Sequence, residues 1–141
     1  MTYEMPIERG KIREFARATQ SRNPAYDGPD AVILPTFLTT AGNFWSTGAR
    51  PIGELGFDLR RVLHGEEEFE FFGPLPRAGQ TLTAASRLGE QWEKEGKRGG
   101  VMRFAKLVTE YRDQAGELVA EQRTTIIETA KPPKQHQAGA T

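Results

Sequence analysis

The sequence LPTFLTTAGNFWSTG, residues 34–48, decides the fold, because it contains no Lys, Arg, Asp or Glu in a chain that is 27% charged. Thr36 is a suitable helix N-cap, and Gly48 is a suitable residue to follow the helix C-terminus. The apolar residues between them cover most of the circumference of a helix, and such a helix is normally buried. The stretch therefore predicts one buried helix over about residues 36–47, with the rest of the chain wrapped around it.

Length and composition limit the possible functions. The 141 residues suit one domain, with nineteen basic and nineteen acidic residues and no cysteine. Zero net charge gives no electrostatic case for binding nucleic acid or an anionic membrane. The absence of cysteine excludes disulfides and thiolate chemistry, and no apolar run approaches eighteen residues. We expect a cytoplasmic protein with no cofactor.

The remaining segments predict a sheet that covers the helix. A short strand at residues 3–7 and an amphipathic helix at residues 8–19 come before the central helix. The segments that read as strands after it are residues 60–72, 80–92, 101–113 and 117–129. The last three, joined by short turns, predict an antiparallel meander, which must bury one face. A long curved sheet around one buried helix is the hot-dog architecture, of class α+β, over residues 1–130. Residues 131–141 have the composition of a disordered tail.

Three stretches together resemble the N-terminal MaoC-type dehydratase domain of fatty-acid-synthase-like dehydratases. They are LPTF at residues 34–37, LHGEEEFEFFGPLPRAGQTL at residues 63–82, and the run from residue 97 that ends in TEYR. The chain also resembles the non-catalytic subunit of the mycobacterial (3R)-hydroxyacyl-ACP dehydratase, which works beside a catalytic hot-dog partner. The resemblance implies addition of water to, or its removal from, a 2,3-enoyl thioester carried by coenzyme A or acyl carrier protein.

Active members of this family carry the motif D-x-N-P-x-H, whose Asp and His handle the water and its proton. When Asn23 and Pro24 are aligned on the motif, Ser21 occupies the Asp position and Tyr26 the His position. A serine does not titrate near neutral pH, and a tyrosine with a reference pKa of about 10 is a poor base there. The resemblance therefore implies a chain that shapes the site while a partner chain supplies the Asp/His pair.

Other candidate residues lie on the central helix and on a later strand. The substrate-binding candidates, which would line the path of an acyl chain or stand in the motif, are Asn23, Thr36, Phe37, Leu38, Phe44 and Trp45. His64 is the one histidine outside the tail, and it is a candidate replacement base that Glu66, Glu67 or Glu68 would orient. The alternative is a hydrogen-bonded histidine at the start of a strand. No metal site is expected.

Three functions remain open at this stage. The first is a non-catalytic, acyl-chain-binding subunit of a heteromeric (R)-specific enoyl-thioester hydratase or dehydratase. The second is a self-sufficient homodimeric hydratase or acyl-CoA thioesterase, and the third is an acyl-thioester-binding module without catalysis. Because a single hot-dog leaves a sheet edge unpaired, we expect pairing with itself or with a distinct MaoC-like partner. The sequence fixes neither the acyl chain length nor the carrier nor the pathway.

Overall fold

A computed structural model of the protein describes residues 1–48, 50–97 and 99–130. Five antiparallel strands form one sheet in the order β1-β3-β4-β5-β2. The strands are β1 (Thr2–Pro6), β2 (Val62–Phe71), β3 (Thr81–Glu95), β4 (Val101–Arg112) and β5 (Leu118–Glu128). The predicted tail, residues 131–141, lies outside the described residues.

The three long strands β3, β4 and β5 form the predicted meander, which confirms that part of the fold. A tight turn joins β4 to β5, because the Asp113 carboxylate accepts the backbone N–H groups of Ala115 and Glu117 at 2.9 and 3.0 Å. β2 does not extend the meander from β3. It pairs instead with β5 at the far side of the sheet, so β1 and β2 are the two edge strands.

Helix α1 (Arg9–Ala18) closes one end of the core. Its apolar stripe buries Ile12 and Ala16, and the Phe15 ring meets the Phe37 ring edge to face with centroids 5.6 Å apart. The strands supply the opposite wall of the core, in which Met5, Leu82, Ala84 and Tyr111 are almost wholly buried.

The central helix is shorter than the predicted span of about residues 36–47. A 3₁₀ turn (Phe37–Thr40) leads into helix α2 (Ala41–Phe44), and we call residues 37–44 together the central helical segment. The Thr36 side chain makes no capping hydrogen bond, and the segment ends when Trp45 and Ser46 both donate to the Ala41 carbonyl. The Arg50 guanidinium then donates to the Gly42 carbonyl and, at 3.1 Å, to the Asn43 side chain. These bonds satisfy the polar groups at the end of the segment and stop it early.

Candidate functional site

A cavity of about 330 Å³ lies between the core face of the sheet and the central helical segment. This volume is at the lower end of the range for small-molecule sites. Apolar side chains from several elements line it: Met1, Pro51, Ile52, Val62, Leu107 and Ile126. Polar side chains line the rest: Tyr3, Thr39, Asn43, Ser46, Arg50, His64, Glu67, Ser86, Thr109, Tyr111, Gln122 and Thr124.

His64 and Glu67 face this cavity together because β2 contains a bulge. Residues three apart on a regular strand point to opposite faces of the sheet. The pairing with β5 shifts register between His64 and Glu66, so that His64 lies opposite Ile126 and Glu67 opposite Thr124. The extra residue, Gly65, brings both side chains to the inner face.

β5 approaches Gly65 closely at this bulge. A Cβ atom at this position would lie 2.6 Å from the Ile127 Cδ1 atom and 3.3 Å from the Thr125 carbonyl oxygen. A methyl group would therefore clash with the end of the Ile127 side chain, which would have to turn aside. The glycine lets the bulge form without such a clash.

The Glu67 carboxylate is the centre of a hydrogen-bond network on the cavity wall. Its Oε2 atom lies 2.6 Å from His64 Nε2, and its Oε1 atom accepts from Gln122 Nε2 and Thr124 Oγ1, both at 2.8 Å. The Tyr111 hydroxyl donates to Gln122 Oε1 at 2.6 Å. The Glu67 side chain is 17% exposed and that of His64 is 59% exposed, so the imidazole stands at the rim and the carboxylate beneath it.

Two tyrosines and a hydroxyl pair complete the polar wall. Burial, above all, raises the pKa of Tyr111 well above its ordinary value of 10, and burial likewise raises the pKa of Tyr3. Both phenols therefore stay neutral at physiological pH and remain able to donate a proton in a hydrogen bond. Ser86 Oγ and Thr109 Oγ1 lie 2.8 Å apart on neighbouring strands.

The motif positions lie apart from this cavity. Ser21, Asn23 and Tyr26 line a shallow groove beside α1, and none of them contributes to the cavity wall. The Asn23 side chain caps the 3₁₀ turn (Pro24–Tyr26) by accepting from the Ala25 N–H at 3.0 Å, while the half-buried Tyr26 packs against the core. Serine and tyrosine supply neither a carboxylate nor an imidazole at these positions.

The predicted residues on the central helix divide between core and surface. Phe37 and Leu38 are fully buried in the core, and Thr36 precedes them with no capping bond. Phe44 is 61% exposed, with the Lys11 ammonium 3.9 Å from its ring centroid, and the half-buried Trp45 lies beside it. None of these five side chains forms part of the cavity lining, although the neighbouring Thr39, Gly42 and Asn43 do.

Sequence reasoning identified His64 and, among three candidates, Glu67, but it missed the residues that hold them. Gln122, Thr124, Thr109 and Tyr111 were not predicted as site residues. The available signal was their spacing. Thr109 and Tyr111 are two residues apart on β4, and Gln122 and Thr124 are two residues apart on β5, so each pair lies on one face of its strand. Polar residues on the face that covers the core, where apolar side chains are expected, indicate a site. Over residues 1–48, 50–97 and 99–130, no three His, Asp or Glu side chains converge to hold a metal ion.

Comparison with known proteins agrees with this architecture. A family model described as the FAS1-like dehydratase domain region matches residues 2–122. A UPF0336 protein of Streptomyces coelicolor is 32% identical over 134 residues, which cover 88% of this chain and 85% of the relative. A UPF0336 protein of Streptomyces griseus is 30% identical over 139 residues, with coverage of 88% and 85%.

Solved structures show the same fold at low sequence identity. The chain matches the HadBC (3R-hydroxyacyl-ACP dehydratase) complex of Mycobacterium tuberculosis with a TM-score of 0.70 and 22% identity, covering 90% of this chain and 94% of the matched chain. It matches the ChsH1–ChsH2 complex of the same organism with a TM-score of 0.71 and 20% identity, covering 94% and 86%.

The sheet, its central helical segment and the cavity between them define a hot-dog protein of the dehydratase type. The chain belongs to the family of FAS1-like dehydratase domains, and its relatives include UPF0336 proteins. Within the part of the chain that the structure describes, no helix is long and apolar enough to cross a membrane.

Proposed function

We propose that this protein is the non-catalytic, acyl-chain-binding subunit of a heteromeric (R)-specific enoyl-thioester hydratase or 3-hydroxyacyl-thioester dehydratase. A partner hot-dog chain supplies the Asp/His pair. The acyl group arrives as a thioester of coenzyme A or acyl carrier protein, and the complex works in the cytoplasm.

The observation that carries this proposal is the identity of the residues at the motif positions. General acid–base catalysis of hydration needs two groups that exchange protons near neutral pH. Ser21 and Tyr26 cannot do this, and both lie away from the cavity. The fold is that of a dehydratase, and the solved structures that share it include two complexes named for two components, HadBC and ChsH1–ChsH2. These points together favour a subunit that depends on a partner for chemistry.

The cavity gives such a subunit something to bind. Val62, Leu107 and Ile126 supply apolar lining that suits hydrocarbon, and His64, on the edge strand β2, is 59% exposed at the cavity wall. A partner that pairs along this edge would bring its own site next to the opening. An acyl chain that reacts in the partner would then extend into this cavity.

The test is hydration of crotonyl-CoA, followed as loss of enone absorbance. It is measured for the purified chain alone and after co-expression with a MaoC-like chain that carries the D-x-N-P-x-H motif. We expect no turnover by the chain alone and turnover by the mixture. Replacing the Asp or His of the partner's motif should abolish the activity of the mixture. Turnover by the isolated chain would contradict the proposal.

A second candidate function is a self-sufficient homodimeric hydratase, and the His64–Glu67 contact of 2.6 Å favours it. In that case His64 would act as base and Glu67 would orient it. The same assay separates the two candidates, because His64→Ala would then abolish an activity that the isolated chain possesses.

A further inference from the structure

The cavity wall carries more polar chemistry than a site for plain hydrocarbon requires. A bulge at Gly65 brings His64 and Glu67 to the inner face together, although an unbulged strand would have placed one of them in solvent. We propose that the His64–Glu67 pair recognises an oxygen-bearing group on the acyl chain, beyond the carbons that react. The preferred ligand is thus an acyl thioester with a hydroxyl or keto oxygen further along its chain. This inference rests on the proposed function, in which C2 and C3 react in the partner.

The first argument concerns desolvation. A hydrocarbon chain laid against a charged or polar group removes water from it and returns no hydrogen bond, which costs free energy. Gln122 and Thr124 already satisfy one oxygen of Glu67, and His64 satisfies the other. Glu67 is therefore fully partnered and serves to hold the imidazole in place.

The second argument concerns the free nitrogen of His64. The contact between Nε2 and the Glu67 carboxylate places a proton on Nε2, because the carboxylate can only accept. Among the described residues, Nδ1 makes no hydrogen bond. It can accept from a hydroxyl when the ring is neutral and donate to a carbonyl oxygen when the ring is protonated. A ligand oxygen at the rim would satisfy it in either state.

The third argument concerns the position of the pair. His64 is 59% exposed on the edge strand β2, and the apolar residues Ile126 and Leu107 lie on β5 and β4, further from that edge. A chain that enters from a partner beside β2 would pass the imidazole before it reaches the apolar part. The remaining lining is mixed, in the manner of sites where a few placed polar groups select among apolar ligands.

The test measures binding of four CoA thioesters to the full chain by isothermal titration calorimetry. They are dodecanoyl-CoA, 3-hydroxydodecanoyl-CoA, a mid-chain hydroxydodecanoyl-CoA and ω-hydroxydodecanoyl-CoA. We expect one of the last two to bind about tenfold more tightly than dodecanoyl-CoA, as one well-placed hydrogen bond allows. His64→Phe and Glu67→Gln should each remove this preference, so that the four thioesters bind with affinities within about twofold of one another. Glu68→Gln, on the same strand but on the outer face, is the matched control and should keep the preference.

The outcomes separate this inference from the proposed function. If the wild-type chain binds all four thioesters equally, or prefers the 3-hydroxy compound, the inference is wrong while acyl binding stands. If a distal preference survives both His64→Phe and Glu67→Gln, another part of the wall recognises the oxygen and the inference is also wrong. If no thioester binds, acyl binding itself fails, and the inference fails with it. Far-UV circular dichroism of each variant shows that a lost preference is not a lost fold.

Discussion

At the scale of single residues, the bulge at Gly65 sets the geometry of the site. Its hydrogen atom occupies space that a methyl group would share with Ile127 and with the Thr125 carbonyl. The bulge depends on that space, and the bulge alone brings His64 and Glu67 to one face. A residue with no functional group of its own therefore controls the contact between the two that have one.

Gly65→Ala should destabilise the protein by up to about 1 kcal/mol, less than the usual cost of overpacking a core, because Gly65 is exposed and the end of the half-buried Ile127 side chain can turn aside. It should also move His64 away from Glu67. Chemical denaturation measures the first effect, and the NMR chemical shift of the His64 ring reports the second. Gly73→Ala is the matched control, because a Cβ there meets no atom within 4 Å.

A second substitution shows whether Ile127 causes the cost. Ile127→Val removes the Cδ1 atom that would lie 2.6 Å from the new Cβ. The double variant should therefore be more stable than the sum of the two single changes predicts. If the changes are additive, the clash with Ile127 is not the reason that glycine occupies this position.

The chemistry of the site was partly visible in the sequence, but its geometry was not. His64 and three neighbouring glutamates could be recognised as a group by residue type. Which glutamate contacts the histidine depends on the register shift beside Gly65, a feature of the pairing with β5, whose residues lie about sixty positions away in the sequence. A glycine within a strand pattern indicates a bulge, but it does not say to which face the next residues turn.

At the scale of elements, local patterning predicted the strands better than the central helix. The meander, the first strand and α1 were found within a few residues, because alternation and amphipathic spacing are local signals. The central helix ends early because Arg50, which follows it, bonds to its last turn. Phe44 consequently lies at the surface, although the helix was expected to bury it. Such a contact between a helix and a later loop cannot be read from the helix sequence.

A buried carboxylate ties the connector before β2 to the sheet. Glu128 on β5 accepts from Arg103 Nε at 2.5 Å, from Arg61 Nη2 at 2.6 Å and from the Asp58 backbone N–H at 2.7 Å. The hydrogen bond from Arg103, followed by that from Asp58, lowers the pKa of Glu128 from 4.5 to about 2. This cluster links β4, β5 and the connector.

The lowered pKa makes part of the stability pH-dependent. Because the folded-state pKa lies below the unfolded value, the contribution of Glu128 is fully present above about pH 4.5. It is lost as the pH falls towards about 2. Glu128→Gln should therefore lower the melting temperature most at neutral pH, and the difference from wild type should shrink as the pH falls from 4.5 towards about 2. Thermal unfolding followed by circular dichroism at a series of pH values measures it.

The matched control for this experiment is Glu4→Gln, which alters an exposed carboxylate on β1. Its melting temperature should follow that of the wild type at every pH. A difference between Glu128→Gln and wild type that stays constant down to pH 2 would mean that the variant acts through shape or packing rather than through charge.

At the scale of the whole molecule, the sheet offers two edges of unequal length. The edge strand β1 is five residues long and pairs with β3. The edge strand β2 is ten residues long and pairs with β5 along one side, so its other side forms the longer edge of the sheet. A long edge strand with free backbone groups pairs readily with another chain. Leu63 on β2 is 56% exposed, between the cavity-lining residues Val62 and His64 in the sequence. The geometry therefore favours β2 as the edge along which this chain meets itself or a partner.

Leu63→Lys should weaken that association by at least tenfold, because it places a charge where two edges would meet and removes an apolar contact. Size-exclusion chromatography with light scattering should give about twice the 15.7 kDa chain mass for a wild-type homodimer, and a heterodimer on co-expression. The variant should shift either species towards free chains at micromolar concentration. Val101→Lys provides the control, since Val101 is 51% exposed but lies at the hairpin between β3 and β4. Dissociation by Val101→Lys but not by Leu63→Lys would place the interface at that hairpin, and the cavity opening would then face solvent instead of a partner's site.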